Sequence, residues 1–130
     1  MNLERPSSDR GAEMKNIFSK TVLCTLLAAT GISTSAAPQW CQGTVGNLWI
    51  YTNGNVYVVP SFRGDHIRIC NMNTETSGIS VINCVAWFTM LRNAMQRQST
   101  VTVYYPEAPS CNTLPTYDAS PVPGYVMQRD

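Results

Sequence analysis

Lysine is nearly missing from this sequence: Lys15 and Lys20 stand near the start and none follows. Charge is scarce altogether, at 13% of 130 residues, and histidine occurs once, at His66. No apolar run reaches the roughly 18 residues that a membrane-spanning helix requires. No segment repeats. Each lack excludes something. Disorder needs high charge and low hydrophobicity, and 44% of this chain is hydrophobic. A nucleic-acid binder carries a basic surface, which a nearly lysine-free chain does not supply. The length allows one domain and hardly more.

The two lysines belong to a pattern. Met14-Lys15-Asn16-Ile17-Phe18-Ser19-Lys20 is a basic start, Val22 to Ile32 is apolar, and Ser33-Thr34-Ser35-Ala36-Ala37 is a run of small residues before Pro38. That order predicts a secretory signal peptide over 14–36, cleaved after Ala36 with Thr34 and Ala36 at the small-residue positions. Residues 1–13 are polar and patternless. They fit neither signal nor domain and are expected to precede the true start at Met14. Cys24 leaves with the signal. The exported part, 37–130, is then a single domain, secreted or periplasmic, with no lasting membrane anchor.

In that domain Arg63, Arg68, Arg92, Arg97 and Arg129 balance Asp65, Glu75, Glu107, Asp118 and Asp130. The whole chain's charge of +1 therefore misleads. The exported domain is neutral, which argues against nucleic acid and anionic membrane as partners. Its cysteines are Cys41, Cys70, Cys84 and Cys111. An even set in a small exported domain implies disulfides, and four cysteines allow three connectivities. The expected pairs are Cys70–Cys84, closing an excursion around Gly78, and Cys41–Cys111, tying the domain's start to the segment after its last strong strand. Loops of these lengths are worth roughly 3 and roughly 4 kcal/mol. No Cys-x2-Cys pair favours a metal instead, and neither metal nor cofactor is expected.

Strand signals dominate the middle. Leu48–Thr52 and Asn55–Val59 flank Asn53-Gly54, which predicts a two-residue type I′ hairpin. The register would place Tyr51 opposite Val56, Ile50 opposite Tyr57, Trp49 opposite Val58 and Leu48 opposite Val59. Both faces would then be apolar, so a helix, another subunit or a ligand is expected to cover the second. His66–Asn71 alternates like a third strand. From Val81 the period changes: Cys84, Trp87, Phe88, Leu91, Ala94 and Met95 form one helical stripe, predicting a helix from about Ile82 to about Gln98. Thr100–Tyr105 reads as a strand stopped by Pro106. A proline-rich tail from about 106 cannot form regular helix, and Gly124–Gln128 could add a short edge strand. The expected fold is α+β or mainly β: a small OB-like, partly open antiparallel barrel with one helix, stapled by disulfides.

Ile69-Cys70, Ser77-Gly78-Ile79-Ser80, Asn83-Cys84, Met90-Leu91-Arg92-Asn93-Ala94 and Val101-Thr102-Val103-Tyr104-Tyr105 together resemble the B subunits of subtilase-cytotoxin and pertussis-like AB5 toxins. The resemblance implies an OB-like barrel, supports the Cys70–Cys84 pair and raises the prospect of a ring. The chain departs from that family at Gln96-Arg97-Gln98-Ser99, where the family has aromatic residues and Thr-Gly, and in pairing Cys111 back to Cys41. None of the family's sugar-binding residues falls on a matched motif. Cys111-Asn112-Thr113-Leu114-Pro115-Thr116-Tyr117 is similar to the tails of small exported bacterial proteins of unknown role. Fold likeness alone transfers no function.

Catalytic chemistry has little to work with. Asp65 adjoins His66 in sequence, and neighbours on a strand point apart. Glu75 and Glu107 lack the context of a glycosidase pair. Arg63-Gly64-Asp65 spells an integrin-type tripeptide, and three residues match by chance often enough to read it as a turn with a positive-φ glycine. No catalytic residue is expected. The binding candidates are Trp49, Tyr51 and Tyr57, whose rings offer stacking surface to sugars or bases and contact area to proteins, with Arg68 flanking them. The leading expectation is a non-catalytic module that binds a glycan or a protein, with a toxin-like homo-oligomer as an open form. A monomeric structural or inhibitory protein of the envelope is the alternative, and a hydrolase the remote one.

Overall fold

A computed structural model of the chain describes residues 36–129. The expected signal peptide, but for its last residue, lies outside them, as do segment 1–13, Cys24 and Asp130. The elements are β1 (Ala37–Gly43), β2 (Val45–Ile50), β3 (Asn55–Pro60), β4 (Ile67–Asn71), α1 (Val81–Arg97), β5 (Thr100–Ala108) and β6 (Tyr125–Arg129), with a 3₁₀ turn at Cys111–Thr113. They form two antiparallel three-stranded sheets, ordered β1-β5-β6 and β2-β3-β4. Among the described residues the fold is mainly β with one helix, and the sheets do not close into a barrel.

β1 was no part of the sequence expectation. Ala37-Pro-Gln-Trp-Cys-Gln-Gly shows little apolar alternation, and its pairing with β5 is what makes it a strand. The chain turns from one sheet into the other at Thr44. Ser61 holds that corner: its hydroxyl accepts from the Thr44 N–H at 3.0 Å, and its own N–H donates to the Thr44 carbonyl at 2.9 Å.

The hairpin register differs from expectation by one residue. Ile50 pairs with Val56, Trp49 with Tyr57 and Leu48 with Val58. A type I′ turn needs positive φ at both central residues, yet Gly54 takes it (φ +89°) while Asn53 does not. Instead Gly54 N–H donates to the Tyr51 carbonyl at 2.9 Å and Tyr51 N–H to the Asn55 carbonyl at 2.8 Å. This is a three-residue loop, Thr52 to Gly54, ending in a left-handed glycine. The buried Asn71 decides between the two turns: its amide donates to the Asn53 carbonyl at 3.1 Å and to Asn55 Oδ1 at 2.8 Å. The two-residue turn with two positive φ values lies elsewhere, at Ser77-Gly78 (54° and 79°), between Thr76 and Ile79, which exchange backbone hydrogen bonds.

A one-residue slip re-sorts the faces of a hairpin. Leu48, Val56 and Val58 now share the core side with Ile67, Ile69, Val101, Val103, Tyr105, Leu114 and Val126. Trp49 and Tyr57 come together on the outer side. The helical stripe supplies the third wall: Cys84, Leu91 and Ala94 are buried, and Trp87, Phe88 and Met95 pack partly against the core. Ser80 caps α1, its hydroxyl accepting from Asn83 N–H at 3.2 Å. Gln98 ends it in the left-handed region (φ 55°), and Ser99 N–H returns to the Ala94 carbonyl at 3.0 Å.

β5 runs through Pro106 rather than stopping there. Pro106 lies past the last β6 pair, Tyr104–Tyr125, and within the irregularity between the Gln39–Tyr105 and Ala37–Ala108 pairs. The missing N–H is tolerated at such a place. Disulfides Cys41–Cys111 and Cys70–Cys84 are both formed. The first pins the 3₁₀ turn to β1, the second joins the end of β4 to the first turns of α1. Such bonds suit an oxidising compartment, and no helix among the described residues is long and apolar enough to cross a membrane.

Candidate functional site

The outer face of β2-β3-β4 carries an aromatic cluster. Cross-strand pairing sets Trp49 beside Tyr57 and Tyr57 beside Arg68. The Trp49 and Tyr57 rings stack at 4.5 Å with 19° between planes, and Tyr51 meets Trp49 edge-on at 6.1 Å. All four sequence candidates, Trp49, Tyr51, Tyr57 and Arg68, therefore stand on one face. The register slip brings this about, since the expected pairing set Trp49 against Val58.

The proline-rich tail completes the cluster. Tyr117 N–H donates to the His66 carbonyl at 2.9 Å, and Arg68 N–H donates to Ser120 Oγ at 2.9 Å. These bonds lay Tyr117 and Asp118 across the sheet. Tyr117 takes a left-handed backbone (φ 53°), uncommon for an aromatic residue. Its carbonyl accepts from both the hydroxyl and the N–H of Ser120, at 2.7 and 3.2 Å, which fixes that conformation. The ring then lies 5.2 Å from His66 and 6.0 Å from Tyr57. Thus the second hairpin face is covered in part by the chain's own tail, the cover expected of a monomer.

His66 serves the cluster as an acceptor. Trp49 Nε1–H donates to His66 Nδ1 at 3.2 Å. Asp65 is turned to the His66 backbone N–H at 2.7 Å. Among the described residues no hydrogen bond joins the imidazole to a carboxylate or a serine hydroxyl.

Tyr57 is only 5% exposed, and its hydroxyl donates to Asp118 Oδ1 at 3.0 Å. Burial, first, and the neighbouring Asp118 push its phenol above the ordinary value of 10, although the Asn55 amide, 3.4 Å away, opposes them. Arg68 reaches the same Oδ1 at 3.2 Å and the Asp118 carbonyl at 3.3 Å. Asp118 itself is 78% exposed, and no hydrogen bond to its Oδ2 is formed among the described residues. Trp49, Tyr51, Asn53, Tyr57, Tyr117 and Asp118 enclose an open depression of about 270 Å³. Compared with models of protein families, with curated proteins and with solved structures, the chain matches none. Its chemistry must be read from this geometry.

Two exposed rings, Tyr51 at 55% and Tyr117 at 48%, flank the depression. Trp49 and Tyr57 form its apolar base, and Asn53 and Asp118 add an amide and a carboxylate. Such a surface can stack a ring and hydrogen-bond its substituents. The residues the sequence reading missed are His66 as an aromatic partner, the Asn53–Asn55–Asn71 network that supports Tyr57, and Tyr117 and Asp118. The last two sit some fifty residues from Arg68 (separation 50 for Asp118) in a stretch without periodicity. The integrin-type tripeptide reads as a turn: Gly64 has φ +70°, and Arg63 Nε donates to the Leu114 carbonyl at 2.8 Å. No group of three or more His, Cys, Asp or Glu suited to a metal occurs among the described residues.

Proposed function

We propose that this is an exported, non-catalytic binding module, and that the Trp49–Tyr51–Tyr57–Tyr117 depression takes a terminal sugar of a glycan. One observation carries the reading: four aromatic rings and two polar side chains converge on one small open depression. Ring faces stack on the apolar side of a pyranose. Asp118 and Asn53 pair with its hydroxyls, the carboxylate as acceptor and the amide as either partner. Six residues line the depression, against roughly 20–30 a side in a stable protein interface, which favours a sugar over a folded protein. The signal pattern at 14–36 and the two disulfides support export to the periplasm or beyond. The engagement of His66 by Trp49 supports a non-catalytic role.

The test is a glycan array probed with the purified, fully oxidised protein, alongside Tyr51→Ala and Tyr117→Ala. Both rings are exposed, so neither change threatens the fold. Selective retention of glycans sharing one terminal sugar, lost in both variants, is the expected result. Glycan retention untouched by either variant would refute the site. Failure to retain any glycan, with capture of one envelope protein instead, would move the reading to the inhibitory alternative. Light scattering on the same sample gives the mass and decides between a monomer and a toxin-like ring.

A further inference from the structure

The opposite sheet carries a second aromatic surface, built from different residues. Trp40, Tyr104 and Tyr125 are direct neighbours across β1, β5 and β6. Trp40 and Tyr104 lie 5.0 Å apart, as do Tyr104 and Tyr125, and the latter pair is stacked at 23°. Trp40 Nε1–H donates to the Tyr125 hydroxyl at 3.0 Å, locking the row from end to end. Gly124 leaves room for it, because a Cβ there would come 2.8 Å from Tyr104 Cδ1. Trp40 is nevertheless 56% exposed. A rigid row of rings left facing water is pre-organised for a ligand, since little side-chain freedom remains to be lost on binding.

The same face continues in polar form. The next rung is Gln42, Thr102 and Met127, and the one after pairs Thr100 with Arg129. Rungs two residues apart are spaced by about 7 Å. Gln42, Gln98, Ser99, Thr100 and Arg129 line an open groove of about 650 Å³. Thr102, on the outward side by strand alternation, is buried, and its hydroxyl has no hydrogen-bond partner. A buried hydroxyl without a partner is costly, and this one sits on the rung between Gln42 and Met127. Amides and hydroxyls that both donate and accept, next to stacked rings, match the alternating hydroxyl and C–H surfaces of a sugar chain. Arg129 alone among the residues lining the groove is charged, and its guanidinium can donate to sugar hydroxyls. Three partly exposed rings offer on the order of 300 Å², well short of the roughly 800 Å² per partner that a stable dimer buries.

We infer that the outer face of β1-β5-β6 is a second ligand site, for a linear chain of hexoses, with one unit on the Trp40–Tyr104–Tyr125 row and the next units along Gln42, Thr102 and Thr100. It does not depend on the Trp49 depression. The test is a titration of the isotope-labelled, oxidised protein with millimolar cellohexaose, maltohexaose and mannohexaose, following the indole N–H signals of Trp40 and Trp49 separately. At least one hexasaccharide should shift Trp40 saturably, together with the amides of Gln42 and Thr102. Trp40→Ala should weaken that binding about tenfold, and Tyr125→Ala should do the same. Three results would overturn the inference. Trp40 could stay unmoved by all three sugars; saturable shifts could occur at Trp49 alone, which would leave only the first site; or Trp40 could shift with protein concentration as the mass doubles, which would assign the face to a second copy.

Discussion

Tyr105 is fully buried in the core and its hydroxyl finds no partner there. Burial pushes its phenol well above the ordinary value of 10. The sign follows: the unfolded chain ionises first, so stability is complete below pH 10 and falls as pH rises from there toward the folded value. Tyr105→Phe removes the unsatisfied group. It should raise stability by about 1 kcal/mol and flatten the alkaline loss, both measurable by urea unfolding at neutral and high pH. An equally steep alkaline loss in the variant would place the sensitivity elsewhere. Asn71 is the opposite case. Its Oδ1 accepts from Asn73 and Thr74 N–H at 2.8 and 2.9 Å while its amide serves Asn53 and Asn55. Asn71→Ala should cost about 2 kcal/mol and release the hairpin tip, seen as faster amide exchange at Tyr51 and Gly54. Unchanged exchange there would show that the Asn-Gly loop holds its own shape.

At the scale of elements, α1 and the tail behave differently. The helix was legible to within a residue or two at each end, because its apolar stripe keeps one period. Ser80→Ala should cost about 1 kcal/mol, read as a lower melting temperature with the same cooperative transition. The hairpin was legible as an element but not in register. Asn53-Gly54 carries a local preference for one turn, and Asn71, eighteen residues on, imposes another. Nothing local announces such an override. Trp49, Tyr51, Tyr57 and Arg68 could be singled out by residue type and strand position. Tyr117 and Asp118 could not, since their segment has no pattern to follow and is held to the sheet by the bonds from Tyr117 N–H to the His66 carbonyl and from Arg68 N–H to Ser120 Oγ. β1 was hidden for a related reason: its partner β5 makes it a strand, and its outward Trp40 looks like any aromatic in sequence.

For the whole molecule, the disulfides and the split sheets explain one another. Two sheets that do not close leave a small core, and the disulfides tie the 3₁₀ turn to β1 and the end of β4 to α1. Sequence separations of 70 and 14 put their worth at roughly 4 kcal/mol for Cys41–Cys111 and roughly 3 for Cys70–Cys84. Replacing the first pair by serine should therefore lower stability more than replacing the second, by chemical denaturation under non-reducing conditions. The reverse order would mean that the 3₁₀ turn and tail hold without their staple. The tail matters because it delivers Tyr117 and Asp118 to the aromatic face, so the proposed glycan site depends on the whole fold. The most direct test of that site is calorimetric titration with the sugar an array selects, comparing the wild-type protein with Tyr117→Ala. An affinity loss of about tenfold or more, close to 1.4 kcal/mol, with an unchanged melting temperature, is the predicted result. Equal affinities for the two proteins would contradict it.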